Sequence, residues 1–266
     1  VELVVWPESS TGSTNADPVL NDEVRIAIAE QARRIGAAIL VGGDRIVGQD
    51  EFVNANVFFD AEGDIEGEYR KQHPVPFGEY IPARPLFEWI PALDQVPRDM
   101  ITGDGPVVFD VGAIQLGSVI SWEGGFSRYA LQHRRAGANA LAVTTNKASY
   151  GADAPTSGQF IGMTRMRAVE LGIPVVHAAV TGKSTIIDYQ GSFDSTTETG
   201  ESVVFYGDIG LSTSTIYSTI GDSFLFVAAL VGLFMVWRYR SLVGSGPMRS
   251  GSSSMKSNMD VGNQED

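Results

Sequence analysis

The sequence predicts a layered α/β fold built on mixed β-sheets. Apolar runs of roughly four to seven residues alternate along the chain with helical segments of roughly ten to fifteen, a pattern typical of sheets covered by helices. Neighbouring runs joined by turn residues indicate hairpins, so the sheets contain antiparallel pairs as well as parallel ones. With 266 residues, 43% of them hydrophobic, the chain can bury a substantial core.

The first half of the chain begins with an apolar β-branched run at 3–6, which Pro7 ends. Asp17 followed by Pro18 predicts the start of a helix, with Asp17 as its N-cap. A strand is predicted at 37–41 and is expected to end at Gly42 and Gly43. Residues 53–59 and 65–70, separated by a turn rich in Asp and Gly, predict a hairpin.

The second half continues the alternation. Runs 107–111 and 115–120 predict another strand pair, followed by a helix at 127–136, a strand at 140–144 and a helix at 159–171. Two more strands are predicted at 174–179 and 184–188. A globular domain is therefore expected over 1–210, and no internal repeat is visible.

Charge and composition exclude several classes of function. The formal net charge is −13, so the basic surface that nucleic-acid binding requires is absent and no nucleic-acid partner is expected. The chain has no cysteine, which excludes disulfides, thiolate metal sites and a cysteine nucleophile. Its three histidines are dispersed, so neither a metal site nor a cofactor is expected.

The C-terminal stretch differs in kind from the rest. Residues 224–237 are uninterruptedly apolar, and Arg238 and Arg240 follow. As a helix this run is about 21 Å long, so we extend it and predict a transmembrane helix at 216–240. The Ser-, Gly- and Asn-rich residues 241–266 are expected to be a disordered tail. The positive-inside rule places the arginines in the cytoplasm and the globular domain outside. A buried core helix is the alternative.

The chain opens at Val1, directly in an apolar run and without a methionine or a polar leader. A buried strand rarely begins at a free terminus. We therefore expect the sequence to be a fragment whose N-terminal part is missing.

Three segments place a charged or nucleophilic group where a strand ends. Glu8 follows the first strand in a W-P-E context, and Lys71 follows the hairpin in Y-R-K. Ser121 ends an apolar run in S-W-E-G-G, which resembles a strained nucleophile turn although G-x-S-x-G is absent. Taken singly, each of these residues could instead be an ordinary loop or turn residue.

Taken together, the three segments resemble the nitrilase superfamily. The Y-R-K…P-F-G-E-Y-I-P stretch, residues 164–174, residues 182–191 and the closing apolar helix are similar to its apolipoprotein N-acyltransferase branch. The resemblance covers roughly residues 1–240 in the family's order. It implies that the catalytic domain is an α-β-β-α four-layer sandwich. It also implies that the protein is anchored in the inner membrane of a bacterial cell, with this domain on the extracytoplasmic side.

The resemblance also implies roles for particular residues. Glu8 matches the general base, Lys71 the transition-state stabiliser, and Ser121 stands where the family has its nucleophilic cysteine. Four further positions are expected to support them: Glu79, Glu123, Trp122 and Asn146. The implied reaction takes an acyl chain from a phospholipid donor to the N-terminal amine of an apolipoprotein acceptor through an acyl-enzyme.

Two positions depart from the family pattern. A hydroxyl is a weaker nucleophile than a thiol, so Ser121 fits a serine enzyme, an inactive membrane scaffold that binds lipid or partner proteins, or a deliberate cysteine-to-serine change. Lys147 stands where the branch often has Asp, and we expect its charge near the pocket mouth to alter which headgroup or acceptor is tolerated. A nitrilase-type amidase is a further alternative, against which the membrane helix argues.

Overall fold

The computed structural model describes residues 1–12, 16–87, 89–150 and 155–244, with side chains described as far as residue 241. The chain divides into two compact units, Val1–Gly221 and Asp222–Asp266. The first unit contains all ten strands of the described residues, arranged as two sheets of five. Both sheets contain antiparallel as well as parallel pairs, as the predicted hairpins require.

The first sheet has the order β1-β2-β3-β4, and a short strand β5 pairs with the start of β3. Strand β1 is parallel to β2, whereas β2, β3 and β4 are antiparallel neighbours. The predicted hairpin is therefore confirmed as β3 and β4. The strands are Leu3–Val5 (β1), Ala38–Val47 (β2), Glu51–Phe59 (β3), Ile65–Arg70 (β4) and Asp99–Met100 (β5).

The second sheet has the order β10-β9-β8-β7-β6. Its three central strands, β7, β8 and β9, are parallel, and an antiparallel strand closes each edge. The carboxyl ends of β7 and β8 consequently lie side by side. The strands are Val108–Val111 (β6), Ile114–Ile120 (β7), Ala140–Asn146 (β8), Val175–Val180 (β9) and Thr185–Ile187 (β10).

Three buried clusters define the layers. Helix α1 (Asp22–Ile35) packs Ile28 and Ala32 against the first sheet. Helices α2 (Ser127–Arg135) and α3 (Thr156–Leu171) pack against the second sheet. Between the sheets lies a third cluster, to which β2, β3, β4, β6, β7 and β8 contribute. The layer order is thus helix, sheet, sheet, helices, which is the predicted sandwich.

A polar contact also joins the two sheets. The Asn56 side chain donates hydrogen bonds to Ser118 Oγ at 2.7 Å and to Thr144 Oγ1 at 2.9 Å. All three residues are fully buried, where an unpaired polar group would be costly. The contact therefore favours one relative placement of β3, β7 and β8.

The prediction that a strand ends at Gly42 was wrong, because β2 continues to Val47 and pairs with β3 along its length. A Cβ on Gly42 would lie 2.3 Å from the carbonyl oxygen of Pro7 and 2.7 Å from the Cα of Glu8. Gly42 therefore lies inside a strand, where the missing side chain lets the backbone of Pro7 and Glu8 approach closely.

The predicted N-cap of α1 was also wrong. Asp17 Oδ1 accepts the backbone N–H groups of Val19 and Leu20 at 2.9 and 3.1 Å, so it stabilises a turn before the helix. Asn21 is the N-cap, and its side chain accepts the N–H of Val24 at 3.1 Å. Asparagine and aspartate are both favoured at such positions, and the turn at Pro18 delays the helix by one turn.

Near the C-terminus, a short helix α4 (Ile216–Ile220) ends at Gly221, whose φ is +55°. Helix α5 (Ser223–Gly244) follows. The predicted single helix at 216–240 is thus interrupted, and α5 extends beyond its expected end. Residues 223–241 are long and apolar enough to cross a membrane, and their side chains are exposed. From residue 245 onward the predicted tail lies outside the described residues.

Candidate active site

Glu8 follows β1 and lies buried between the two sheets, with 5% of its surface exposed. Its Oε1 accepts a hydrogen bond of 2.9 Å from the side-chain amide of Asn54 on β3. Its Oε2 accepts the backbone N–H of Asn146, the last residue of β8, at 2.7 Å. One carboxylate is thus held by both sheets, which fixes its position where they meet.

Lys71 follows β4, and its side chain is 1% exposed. Its Nζ donates to Glu79 Oε1 at 2.5 Å and lies 3.7 Å from Glu8 Oε1. Burial opposes the charge, but the carboxylates of Glu8 and Glu79 outweigh burial, so the pKa of Lys71 is raised. The ammonium is therefore charged and fixed between two carboxylates.

Glu79 lies in the loop that follows Lys71. Its Oε2 accepts the backbone N–H of Val75 at 2.8 Å, while Oε1 accepts from the lysine. The glutamate therefore orients the ammonium and shapes the loop at once, as a supporting residue would.

Ser121 is the first residue after β7 and begins a 3-10 turn, Ser121–Gly125. Its φ is +54°, in the left-handed region that non-glycine residues rarely adopt. The parallel register pairs Ile120 with Thr144, so Ser121 follows β7 at the edge where Asn146 ends β8 and holds Glu8. Backbone strain of this kind is concentrated at functional sites.

Glu123 lies within the same turn and is fully buried. Its Oε1 accepts the backbone N–H groups of Gln72 and His73 at 2.6 and 3.0 Å. Its Oε2 accepts the N–H of Ile120 and the hydroxyl of Tyr69, both at 2.8 Å. Burial raises the pKa of Glu123, and the donors Ile120, Tyr69 and Gln72 oppose the shift. The glutamate connects the turn of Ser121 with the segment after Lys71.

The other two residues predicted to be supporting, Trp122 and Asn146, make packing and backbone contacts. The Trp122 ring lies edge-on to Phe160 of α3, with centroids 4.9 Å apart. The side chain of Asn146 accepts the backbone N–H of Ala148 at 2.9 Å, while its own N–H binds Glu8. Among the predicted residues, the contacts join Glu8, Lys71, Glu79 and Asn146 directly.

Lys147 is buried rather than placed at a pocket mouth, with 4% of its surface exposed. Its Nζ lies 2.8 Å from the ring centroid of Phe160 and 4.8 Å from that of Tyr150. Burial lowers the pKa of Lys147 to about 8, and the nearby Glu8 opposes the shift. The ammonium of Lys147 therefore lies against Phe160 of α3 and interacts electrostatically with Glu8 and Lys71.

Sequence reasoning missed two residues of this region, Asn54 and Asp44. They are direct cross-strand partners on β3 and β2. The Ser9 hydroxyl donates to Asp44 Oδ2, and burial raises the pKa of Asp44 to about 6, with the Ser9 hydrogen bond opposing the shift and Glu8 adding to it. Asparagines at 54 and 56, in an otherwise apolar strand, were the available signal. Within the described ranges no group of three or more His, Asp or Glu side chains is placed to hold a metal ion.

Curated proteins of similar sequence share one name. The chain is 33% identical over 230 residues to the "Apolipoprotein N-acyltransferase" of Geobacter metallireducens, a match that covers 84% of this chain and 43% of the relative. It is 34% identical to the protein of the same name from Mycolicibacterium smegmatis, covering 74% of this chain and 33% of the relative. The chain thus spans less than half the length of these curated relatives.

Among solved structures, an amidase from Nesterenkonia sp. AN1, with acrylamide added at its active-site cysteine, aligns with a TM-score of 0.60 and 18% identity. The alignment covers 86% of each chain. A cysteine-to-serine variant of this nitrilase-superfamily amidase aligns with a TM-score of 0.59 and 18% identity, over 86% of this chain and 84% of that one. At this identity the likeness shows the fold. The carbon-nitrogen hydrolase model matches residues 1–217, and the chain therefore belongs to the carbon-nitrogen hydrolase family.

Proposed function

We propose that this chain is the catalytic part of a membrane-bound acyltransferase, which moves an acyl chain from a phospholipid to the N-terminal amine of a lipoprotein. The observation that carries the proposal is the buried pair of Glu8 and Lys71, 3.7 Å apart, at the strand ends beside the strained turn of Ser121. The names of the curated relatives supply the reaction class.

In the first half-reaction, Glu8 accepts the hydroxyl proton of Ser121 while Oγ attacks the ester carbonyl carbon of the phospholipid. The negative charge that develops on the carbonyl oxygen is stabilised by the ammonium of Lys71. When the tetrahedral intermediate collapses, the bond to the leaving alkoxide breaks and Glu8 returns the proton to it. The products are a lysophospholipid and an ester of Ser121.

In the second half-reaction, the neutral N-terminal amine of the acceptor attacks the ester carbonyl, and Glu8 takes a proton from the amine. Collapse breaks the bond to Ser121 Oγ, which receives that proton. The amide product leaves and the starting enzyme is restored, with Lys71 again opposite the developing oxyanion.

A serine is chemically sufficient in this role when proton removal is concerted with attack, as in serine hydrolases. The geometry favours such a step because Glu8 is a buried carboxylate held by Asn54 and Asn146. A fixed base next to the strained turn requires little rearrangement before the proton moves.

Helix α5 supports a membrane location. We propose that it spans the inner membrane of a bacterial cell, with Arg238 and Arg240 on the cytoplasmic side and the catalytic unit on the extracytoplasmic side. An enzyme tethered in this way has its lipid donor in the adjacent leaflet, so an acidic domain needs no electrostatic attraction to find it.

The test is intact-protein mass spectrometry after incubation of the detergent-solubilised chain with phospholipid vesicles. A mass increase of one acyl chain, mapped to Ser121 and lost in Ser121→Ala, supports the proposal. The exposed Ser241 provides the control, because Ser241→Ala should leave the adduct unchanged.

Other outcomes point elsewhere. Lipid binding without an adduct would indicate an inactive scaffold. Release of ammonia from small amides, with no acyl adduct from phospholipid, would indicate a nitrilase-type amidase.

A further inference from the structure

Two oxygen atoms beside Glu8 are buried and lack a hydrogen-bond donor among the described residues. They are Oδ1 of Asp44 and Oδ1 of Asn54. The other polar atom of each side chain is in use, because Asp44 Oδ2 accepts from Ser9 and Asn54 Nδ2 donates to Glu8. Buried acceptors are normally satisfied by the protein, by water or by a ligand.

The two oxygens belong to one place in the fold. Asp44 and Asn54 are directly opposite each other in the antiparallel pair of β2 and β3, so their side chains lie on the same face of the sheet, with Cβ atoms about 5 Å apart. Asn54 binds Glu8, and Asn56, two residues along, binds the second sheet. The face is therefore the one turned to the active site.

The orientation of the Asn54 amide follows from its partner. A carboxylate offers only acceptors, so the atom facing Glu8 is the NH₂ group and the free atom is the carbonyl oxygen. Asp44 when ionised is likewise only an acceptor. The pair thus presents acceptors without donors.

Charge points in the same direction. The carboxylates of Glu8 and Glu79 flank the ammonium of Lys71, and these three groups all act electrostatically on the Asp44 carboxyl. The other nearby ammonium, Lys147, lies against the Phe160 ring. An additional cation would relieve the excess of negative charge.

We propose that Asp44 Oδ1 and Asn54 Oδ1 form a subsite for a primary ammonium group, which in the proposed acyl transfer is the N-terminal amine of the acceptor before it loses its proton. A primary ammonium carries three N–H donors and no acceptor, which matches the unused atoms of the pair. The product amide has one N–H and no charge, so it binds this subsite less well and can leave. This proposal rests on the proposed function for the identity of the amine.

The ionisation of Asp44 supports the subsite. Burial raises the pKa of this carboxyl to about 6, opposed by the Ser9 hydrogen bond and by Lys71 and assisted by Glu8 and Glu79. A cation next to Asp44 would lower that pKa again. Binding of the ammonium should therefore be strongest between about pH 6.5 and pH 8, weakening below about pH 6 as Asp44 becomes protonated and above about pH 8 as the amine loses its own proton.

The test measures binding without turnover. The full chain with Ser121→Ala, in detergent, is titrated with a synthetic lipopeptide that has a free N-terminal amine, and with the same lipopeptide acetylated at its N-terminus. At about pH 7.5 the free amine should bind at least about tenfold more tightly, as expected of a charge-assisted hydrogen bond. Adding Asp44→Asn should abolish this preference and leave the affinity for the acetylated peptide unchanged.

Two further variants keep the result interpretable. Asp64→Asn, which removes the same charge at an exposed turn, should preserve the preference. Ser9→Ala, which keeps the Asp44 carboxylate, should also preserve it. A preference for the free amine that survives in Asp44→Asn, or is absent in the parent, would overturn the subsite.

The proposed function fails separately from the subsite. No acyl adduct on Ser121, together with an intact Asp44-dependent amine preference, would reject the acyl transfer and keep the ammonium subsite. An adduct on Ser121 without any amine preference would support the acyl transfer and reject the ammonium subsite.

Discussion

The carboxylate of Glu123 accepts a 2.6 Å hydrogen bond from the backbone N–H of Gln72, and so joins the turn that begins at Ser121 to the segment that follows Lys71. Glu123→Ala would leave two buried donors, the Tyr69 hydroxyl and the Ile120 N–H, without their acceptor, together with the partly buried N–H groups of Gln72 and His73. We expect a loss of about 3–5 kcal/mol in the free energy of unfolding, since each unpaired buried group costs about 1–3 kcal/mol. Denaturant unfolding measures this loss, and the exposed Glu66→Ala should change stability by less than about 0.5 kcal/mol.

Lys71→Met should remove catalysis and weaken the fold together. The substitution leaves the buried Glu8 and the partly buried Glu79 without their shared cation, and breaking a buried pair costs about 3–5 kcal/mol. Formation of the Ser121 acyl adduct should slow by about 10²–10³-fold, as when an oxyanion donor is lost. Lys183→Met provides the comparison, since its pair with Glu198 lies at the surface. Adduct formation at the parental rate in Lys71→Met would refute the role of Lys71.

Lys147→Met should stabilise the protein at neutral pH. The pKa of Lys147 in the folded chain is about 8, below the usual 10.5, because burial disfavours its charge. The unfolded state therefore binds more protons between about pH 8 and 10.5, and the stability of the parent rises with pH across that window. We expect a gain of about 1–3 kcal/mol for the variant at pH 7. The gain should shrink toward about pH 10.5, and a pH-independent difference would contradict this origin.

Ser121→Cys should raise the rate of acyl-enzyme formation from phospholipid. The thiol is more acidic and more nucleophilic than the hydroxyl, and Glu8 and Lys71 already lie in place. Adducts are followed over time by intact mass. If only the cysteine form is acylated, the pocket is intact but the parent lacks an effective nucleophile. If neither form is acylated while lipid still binds, the chain is a scaffold.

Leu230→Asp combined with Leu233→Asp should release the chain from membranes. Each aspartate near the centre of a spanning helix costs roughly 2.5–3.5 kcal/mol on insertion scales. Fractionation with a carbonate wash measures the result. The matched control places the same charges at exposed leucines of the first unit, Leu20 and Leu211, and should remain in the membrane fraction. Persistent membrane association of the α5 variant would show that α5 is not the anchor.

Local patterns predicted most of the fold, because the hairpins and the strand–helix alternation depend on residues close in sequence. The hairpin of β3 and β4, for example, follows from residues 53–59 and 65–70 on either side of a single turn rich in Asp and Gly. The course of β2 through Gly42 could not be predicted locally. There the glycine serves the approach of Pro7 and Glu8, which are distant in sequence.

The same distinction applies to the site. Glu8, Lys71 and Ser121 were predicted because each follows a strand within a recognisable motif. Asp44 was missed because its environment depends on Asn54 and Ser9, which only the sheet pairing brings to it. The burial of Lys147 likewise depends on Phe160 of α3, which no spacing in the sequence reveals.

Each sheet is made from one continuous stretch of chain, with β1–β5 ending at Met100 and β6 beginning at Val108. A cut between these residues would leave both sheets whole but would put Glu8 and Lys71 on one fragment and Ser121 on the other. Under the proposed mechanism, neither fragment would form the acyl adduct by itself. Co-expressed halves that associate through the contacts of Asn56 with Ser118 and Thr144 would together form the adduct. Two proteins fused to the halves would then report their own association by restoring acylation of Ser121.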